Sequence, residues 1–108
     1  MKLYIVIITE VYSDPDTLEI TQFANSKAFK TLEEARKDMI ERYEYAQENV
    51  LEYYFDNEGQ LKLDSYGYTE DGHGQATMSD RGAKVSTWNY DGINAVVEIK
   101  IEEVEVAE

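Results

Sequence analysis

The chain has 108 residues, 43% of them apolar, no cysteine, and 23 Asp and Glu against 10 Lys and Arg, for a formal charge of −13. The length sets a single domain over residues 1–108, since two would be too small to bury separate cores, and the apolar share is that of a folded chain. The charge opposes nucleic acid and anionic membrane surfaces, which are polyanions, and the missing thiol excludes disulfides, thiolate metal sites and cysteine nucleophiles.

Leu3 to Tyr12 reads as a strand, with Leu3, Ile5, Ile7 and Val11 on one face and Tyr4, Val6 and Ile8 on the other. Apolar residues on both faces predict a central strand. Ser13-Asp14-Pro15-Asp16 has turn chemistry, and Thr17 to Ala24 alternates again, so the two segments predict a β-hairpin. Thr31 with Glu34 three residues later forms a capping box. It opens a helix expected from Leu32 to about Tyr54, whose apolar stripe is Leu32, Ala35, Met39, Tyr43, Ala46, Val50 and Tyr53. Asn57-Glu58-Gly59 is expected to end it, with Gly59 supplying a positive φ.

The second half is β-rich. Gln60 to Tyr68 alternates as a strand would, and Gln75 to Met78 is a further, shorter candidate. Asp80-Arg81-Gly82 is a turn and Ala83 to Trp88 a strand. Asn89-Tyr90-Asp91-Gly92 is a hairpin signal, and Ile93 to Val104 is the last long strand. Val104 and Val106 change parity, which predicts a bulge or strand end near Glu103. No repeat, linker or low-complexity tract stands out. The fold class is α+β: a mostly antiparallel sheet of four to five strands, in sequence order β-β-α-β-β-β, with one long amphipathic helix across one face.

Three features carry a resemblance: the strand Lys2 to Ile8, Phe29 followed by Thr31-Leu32-Glu33-Glu34-Ala35, and the acidic valine-rich end Ile99 to Val106. In these the chain resembles small uncharacterised acidic proteins of bacteria and their mobile elements. The resemblance covers most of the chain, implies a helix-on-sheet fold, and brings no activity and no site residues.

The first candidate site is a line of acidic residues on the helix. At 100° per residue Glu34, Asp38, Glu41, Glu48 and Glu52 fall within about 40° of one line, with Tyr45 among them and no Lys or Arg. These six residues are the candidate protein-binding set, opposite the apolar stripe. The carboxylates span about 27 Å, roughly one per 5–7 Å, whereas a DNA strand carries a phosphate every ~3.4 Å. The line alone is too sparse to imitate a nucleic acid. A solvated outer face is the plainer reading, although such a face usually mixes signs to form i, i+4 pairs.

Nine tyrosines form the second candidate. Tyr4 and Tyr43 suit the core, while Tyr45, Tyr54, Tyr66, Tyr68 and Tyr90 suit a protein-binding surface or sheet packing. His73, the one histidine, lies in the polar loop Thr69–Gly74 without the nitrogen or sulfur companions of a zinc site. Asp14-Pro15-Asp16 and Glu70-Asp71-Gly72 lack the spacing of a calcium loop. No nucleophile arrangement, phosphate-cradling loop or metalloprotease helix is present, so no cofactor and no catalytic residue is assigned.

Three functional readings follow. The first is a non-enzymatic protein–protein interaction module, its partner a basic protein. The second, a sharper form of it, is a mobile-element inhibitor or decoy of a basic nucleic-acid-binding host factor. The third is a small ligand-binding, metal-binding or catalytic domain using the Thr69–Gly74 loop. The protein is expected to be cytoplasmic, because a small secreted domain would often need disulfides and the N-terminal run lacks a cleavage site. Neither nucleic acid nor membrane is an expected partner. The expected state is a monomer or weak homodimer, with the acidic C-terminal strand a candidate edge for pairing.

Overall fold

Alternating β-branched and aromatic residues make strands at both ends of the chain, and a capped amphipathic segment makes a helix between them. The computed structural model describes residues 1–14, 16–88 and 94–107. In chain order the elements are β1 Lys2–Asp14, β2 Glu19–Phe29, α1 Leu32–Val50, β3 Gly74–Met78, β4 Gly82–Thr87 and β5 Asn94–Glu105. The strands form one antiparallel sheet in the order β2-β1-β5-β4-β3. The fold is α+β with the helix across one face, as expected. β1 is internal, as its two-sided apolar pattern predicts. β5 lies at the centre of the sheet, so the acidic C-terminal strand is not an edge. The Asn89–Gly92 hairpin signal and Tyr90 fall outside the described residues.

Side chains alternate across each strand. The even-numbered β1 residues face α1, and Val6 packs there with Val85, Val97, Ile99 and Ile101 beneath Ala35 and Met39. The odd-numbered β1 residues lie on the far face and are half-buried. The β1–β5 register runs unbroken from Ser13↔Asn94 to Lys2↔Glu105. The parity change at Val104 therefore produces no bulge. It marks where the core-facing row of β5 stops and Glu103 and Val104 come to lie at the surface.

The helix starts where the capping box places it. Thr31 is extended (φ −128°, ψ 150°) and its hydroxyl accepts the Glu34 N–H. The Glu34 carboxylate accepts the Thr31 hydroxyl proton at 3.1 Å. The helix ends at Val50, four residues short of the expected end, and a single 3-10 turn follows over Glu52–Tyr54. Leu51 explains the early exit. On a straight helix it would lie about 120° from the centre of the apolar stripe. By leaving the helix there, the chain buries Leu51 completely. Tyr53, which the stripe places in the core, is instead 90% exposed.

Gln60 to Tyr68 is not a strand. Asp56 Oδ1 accepts the N–H groups of Glu58 and Gln60, and Asp64 Oδ1 accepts those of Tyr66 and Tyr68. In each case the Asp N–H donates to the carbonyl four residues on, Gln60 or Tyr68. Gly59 (φ +76°) and Gly67 (φ +83°) occupy the left-handed position of the two turns. The result is one tight hairpin turn made twice, from two Asp-x-x-Gly units: a short repeat that an alternating pattern conceals. Leu61 and Leu63 still pack against the core, so their alternation is real, but it belongs to the short stretch that joins the two turns. The sequence order β-β-α-β-β-β is met because β3 takes the place expected of Gln60–Tyr68.

A cleft between the helix and the hairpin as candidate functional site

β1 and β2 run out past the flank of α1, and a cleft of about 590 Å³ opens between them. Its floor and hairpin wall are Ile8, Glu10, Tyr12 and Asn25; its helix wall is Asp38, Glu41, Arg42, Tyr45 and Asn49. Glu10 comes from the core-facing row of β1, two residues beyond Ile8, and is half-buried. Among the described residues its carboxylate has one hydrogen-bond partner, the Tyr12 hydroxyl at 3.1 Å, and no cation. Burial pushes the Tyr12 phenol up from its ordinary range, and the hydrogen bond to Glu10 and that group's charge push it further. Tyr12 also meets Phe23 of β2 edge-to-face, with ring centroids 6.4 Å apart.

Asp38 is paired with Arg42 one turn on, Nε to Oδ2 at 2.7 Å, and is only 17% exposed. This i, i+4 pair cancels one charge of the acidic line. Arg42 lies outside the arc of the acidic residues but reaches across to it, so the line is not free of cations. Glu41 and the 70% exposed Tyr45 stand at the cleft mouth.

The six residues of the acidic helix line thus divide. Asp38, Glu41 and Tyr45 meet in the cleft wall; Glu34 is held in the helix cap; Glu48 is on the outer face. Glu52 lies beyond the end of α1, in the 3-10 turn, and is off the line altogether. The sequence reading missed Glu10, Tyr12, Asn25 and Asn49. Glu10 carried a usable signal, an acid in register with Val6 and Ile8 on the core-facing side of a central strand. The two asparagines carried none, because they come together only through the crossing of helix and hairpin.

The Thr69–Gly74 loop is bound up in its own frame. Buried Thr69 exchanges hydrogen bonds with Gly74, and Asp71 accepts from the Thr69 hydroxyl, the His73 N–H and the Tyr54 hydroxyl. The His73 N–H holds the Asp71 carboxyl below its usual range, aided by the two hydroxyls. The carbonyl of His73 accepts the Trp88 N–H and the Thr87 hydroxyl, which fixes the loop to the end of β4. Tyr54 is therefore a loop anchor, and Tyr68 packs edgewise on Trp88 at 6.4 Å. Tyr66, 75% exposed, is left at the surface. Tyr4 and Tyr43 pack against the core as expected.

Among the described residues no group of three or more His, Asp or Glu converges as a metal site, and no helix is long and apolar enough to cross a membrane. No protein-family model, curated protein or solved structure matches the chain.

Proposed function

We propose that the protein is a non-enzymatic binding module for a basic protein, and that its helix–hairpin cleft receives a Lys- or Arg-bearing segment of that partner. The observation that carries this reading is Glu10, a half-buried carboxylate on the cleft floor with a tyrosine hydroxyl as partner and no cation. A buried charge attracts a counter-charge more strongly than an exposed one, because less water screens it. Glu41 adds a second carboxylate at the mouth, and Tyr45 presents a ring on which a guanidinium can lie. Asn25 and Asn49 supply acceptors for the remaining N–H groups. A basic nucleic-acid-binding host factor belongs to this partner class. It would be recognised by the cleft and not by the helix line, which Arg42 and the early helix end make sparser than the spacing of a nucleic-acid strand.

Fluorescence anisotropy with a labelled peptide of alternating Arg and Gly tests the reading. Glu10→Gln, which keeps the shape and the tyrosine contact, is expected to weaken binding about tenfold, the worth of one charge-assisted hydrogen bond. Glu48→Gln on the outer face removes the same net charge and is expected to change affinity less than about twofold. Equal losses in the two variants would mean diffuse attraction to an acidic protein and would remove the cleft from consideration.

A further inference from the structure

The two edges of the sheet are treated differently. β3 is short, and the second Asp-x-x-Gly turn closes over its outer side: Tyr68 bridges to Gln75, and the Gly67 carbonyl accepts the Ala76 N–H. β2 has eleven residues, pairs with β1 along its whole length on one side, and among the described residues has no strand on the other. Ten of those eleven residues are exposed, so the outer edge lies open. Two of the usual protections of an edge are missing: β2 contains no proline, and its register carries no bulge; of the charged protections it keeps only Glu19 and Lys27. Its charged residues are Glu19 and Lys27, so it is neutral in a chain of charge −13. Among the described residues neither has an ion-pair partner; Lys27 lies over the Phe29 ring, 5.3 Å from its centroid.

We infer that this edge is a homodimer interface, in which β2 pairs antiparallel with β2 of a second copy to give a continuous ten-stranded sheet. For such antiparallel pairing the two-fold axis runs normal to the sheet, so facing side chains stay on the same face and opposed residue numbers share parity. One register fits the sequence. With Phe23 on the axis, facing itself, Glu19 faces Lys27 of the second copy and Thr21 faces Asn25. Both ion pairs form at once, and the Tyr12–Phe23 contact extends across the axis. Sliding by one step either way sets Glu19 against Asn25 or Phe29 and loses both pairs. This self-complementarity favours a second copy over a foreign strand. The axis puts both α1 helices on the same side of the sheet, so the two clefts open toward each other over the joined hairpins. The dimer does not depend on what the cleft binds.

Sedimentation equilibrium of the full chain tests this inference. The wild type is expected to approach twice its 12.5 kDa mass as concentration rises. Glu19→Lys alone and Lys27→Glu alone each set like charges opposite one another twice in the dimer. Each is expected to raise the dimer dissociation constant about tenfold or more. An equimolar mixture of the two variants restores opposite charges at both positions and is expected to recover the wild-type constant as a heterodimer. The chain carrying both reversals is expected to self-associate like the wild type. A wild type that stays monomeric would overturn the inference. So would a dimer indifferent to either reversal, or reversals that neither the mixture nor the double variant rescues.

Discussion

Leu51 and Gly74 form the joint on which the second half of the chain is hung, and their coupling can be measured. Leu51 is fully buried where α1 ends. A Cβ built on Gly74 would stand 2.8 Å from Leu51 Cδ2 and 2.9 Å from Thr69 Cγ2, closer than side chains tolerate. Leu51→Ala removes a buried isobutyl group and leaves a cavity, at a cost of about 2–5 kcal/mol. Gly74→Ala overpacks the same space, at about 1–3 kcal/mol. In the double variant the space vacated at Leu51 accepts the new methyl, although the Thr69 contact stays. The combined loss is therefore expected to fall short of the sum by about 1 kcal/mol. Urea unfolding of the four proteins, followed by the single tryptophan, Trp88, gives all the terms. For a domain of this size, with a total stability of about 5–15 kcal/mol, each single loss is readily resolved. Losses that add to within about 0.3–0.5 kcal/mol would refute the claim that these residues share one packing site.

The two turn glycines should separate in the same assay. Gly59→Ala meets open space and carries only the penalty of a positive φ, about 1 kcal/mol. Gly67→Ala adds a collision with the Ala76 carbonyl of β3 to a similar φ, and is expected to cost about 3 kcal/mol or more. Equal costs would show that the second turn is not pressed onto the strand. Thr31→Ala removes the helix cap and is expected to lose about 1 kcal/mol, with Thr31→Ser recovering most of it. Unfolding followed against pH should show an acid limb. Hydrogen bonds from the Gln60 N–H to Asp56 and from the His73 N–H to Asp71 hold these carboxyls below their usual range in the folded chain. A depressed folded pKa gives stability that is complete above the unfolded value and is lost as pH falls through the folded one, here from about pH 4 downward. Asp71→Asn should lower stability at neutral pH and flatten that limb. An acid limb unchanged by the substitution would count against this account.

How much of this was legible in the sequence follows from how local each cause is. The hairpin, the helix start and the last strand are set by short-range patterns. The helix start and the last strand stand within a residue of where those patterns place them, and the hairpin is present but longer, with β1 running through Asp14 and β2 running on to Phe29, five residues past Ala24. The helix end is not local: only the core waiting beneath Leu51 tells the chain to leave the helix at Val50, and no residue type near Tyr54 reveals it. The pattern Leu61, Lys62, Leu63, Asp64 obeys a strand's period of two, but both leucines reach the core from the short stretch between the two turns, Leu61 through an isolated bridge to Phe55. The better signal there was two units of Asp-x-x-Gly, which specify a turn by mechanism rather than by hydrophobic period. For the candidate site, half of the acidic line was legible and the cleft was not. A helical projection shows which side chains share a face, but not that a strand's carboxylate will come to stand opposite them.

The cleft has its physical origin in a mismatch of lengths. A nineteen-residue helix is about 28 Å long, at 1.5 Å per residue. A thirteen-residue strand is about 43 Å, at some 3.3 Å per residue. No placement of the one covers the other, and α1 lies mainly over β4 and β5, where Val85, Val97 and Ile99 are buried. The uncovered end of the hairpin has to be soluble on the helix side, and there the core-facing row changes from Val6 and Ile8 to Glu10 and Tyr12. Glu10 is therefore consistent with two roles, ending the core and marking a binding site. The proposed function takes the second role as well, and the position of Glu10 supports that reading. A residue needed only for solubility would do as well at full exposure, whereas Glu10 is half-buried, with Tyr12 as its partner and a cleft in front of it. Retaining a charge in such a place costs desolvation free energy. A cation supplied by a partner would offset that cost, so Glu10→Gln is expected to leave the free protein as stable as the wild type, or more so, while weakening its complex.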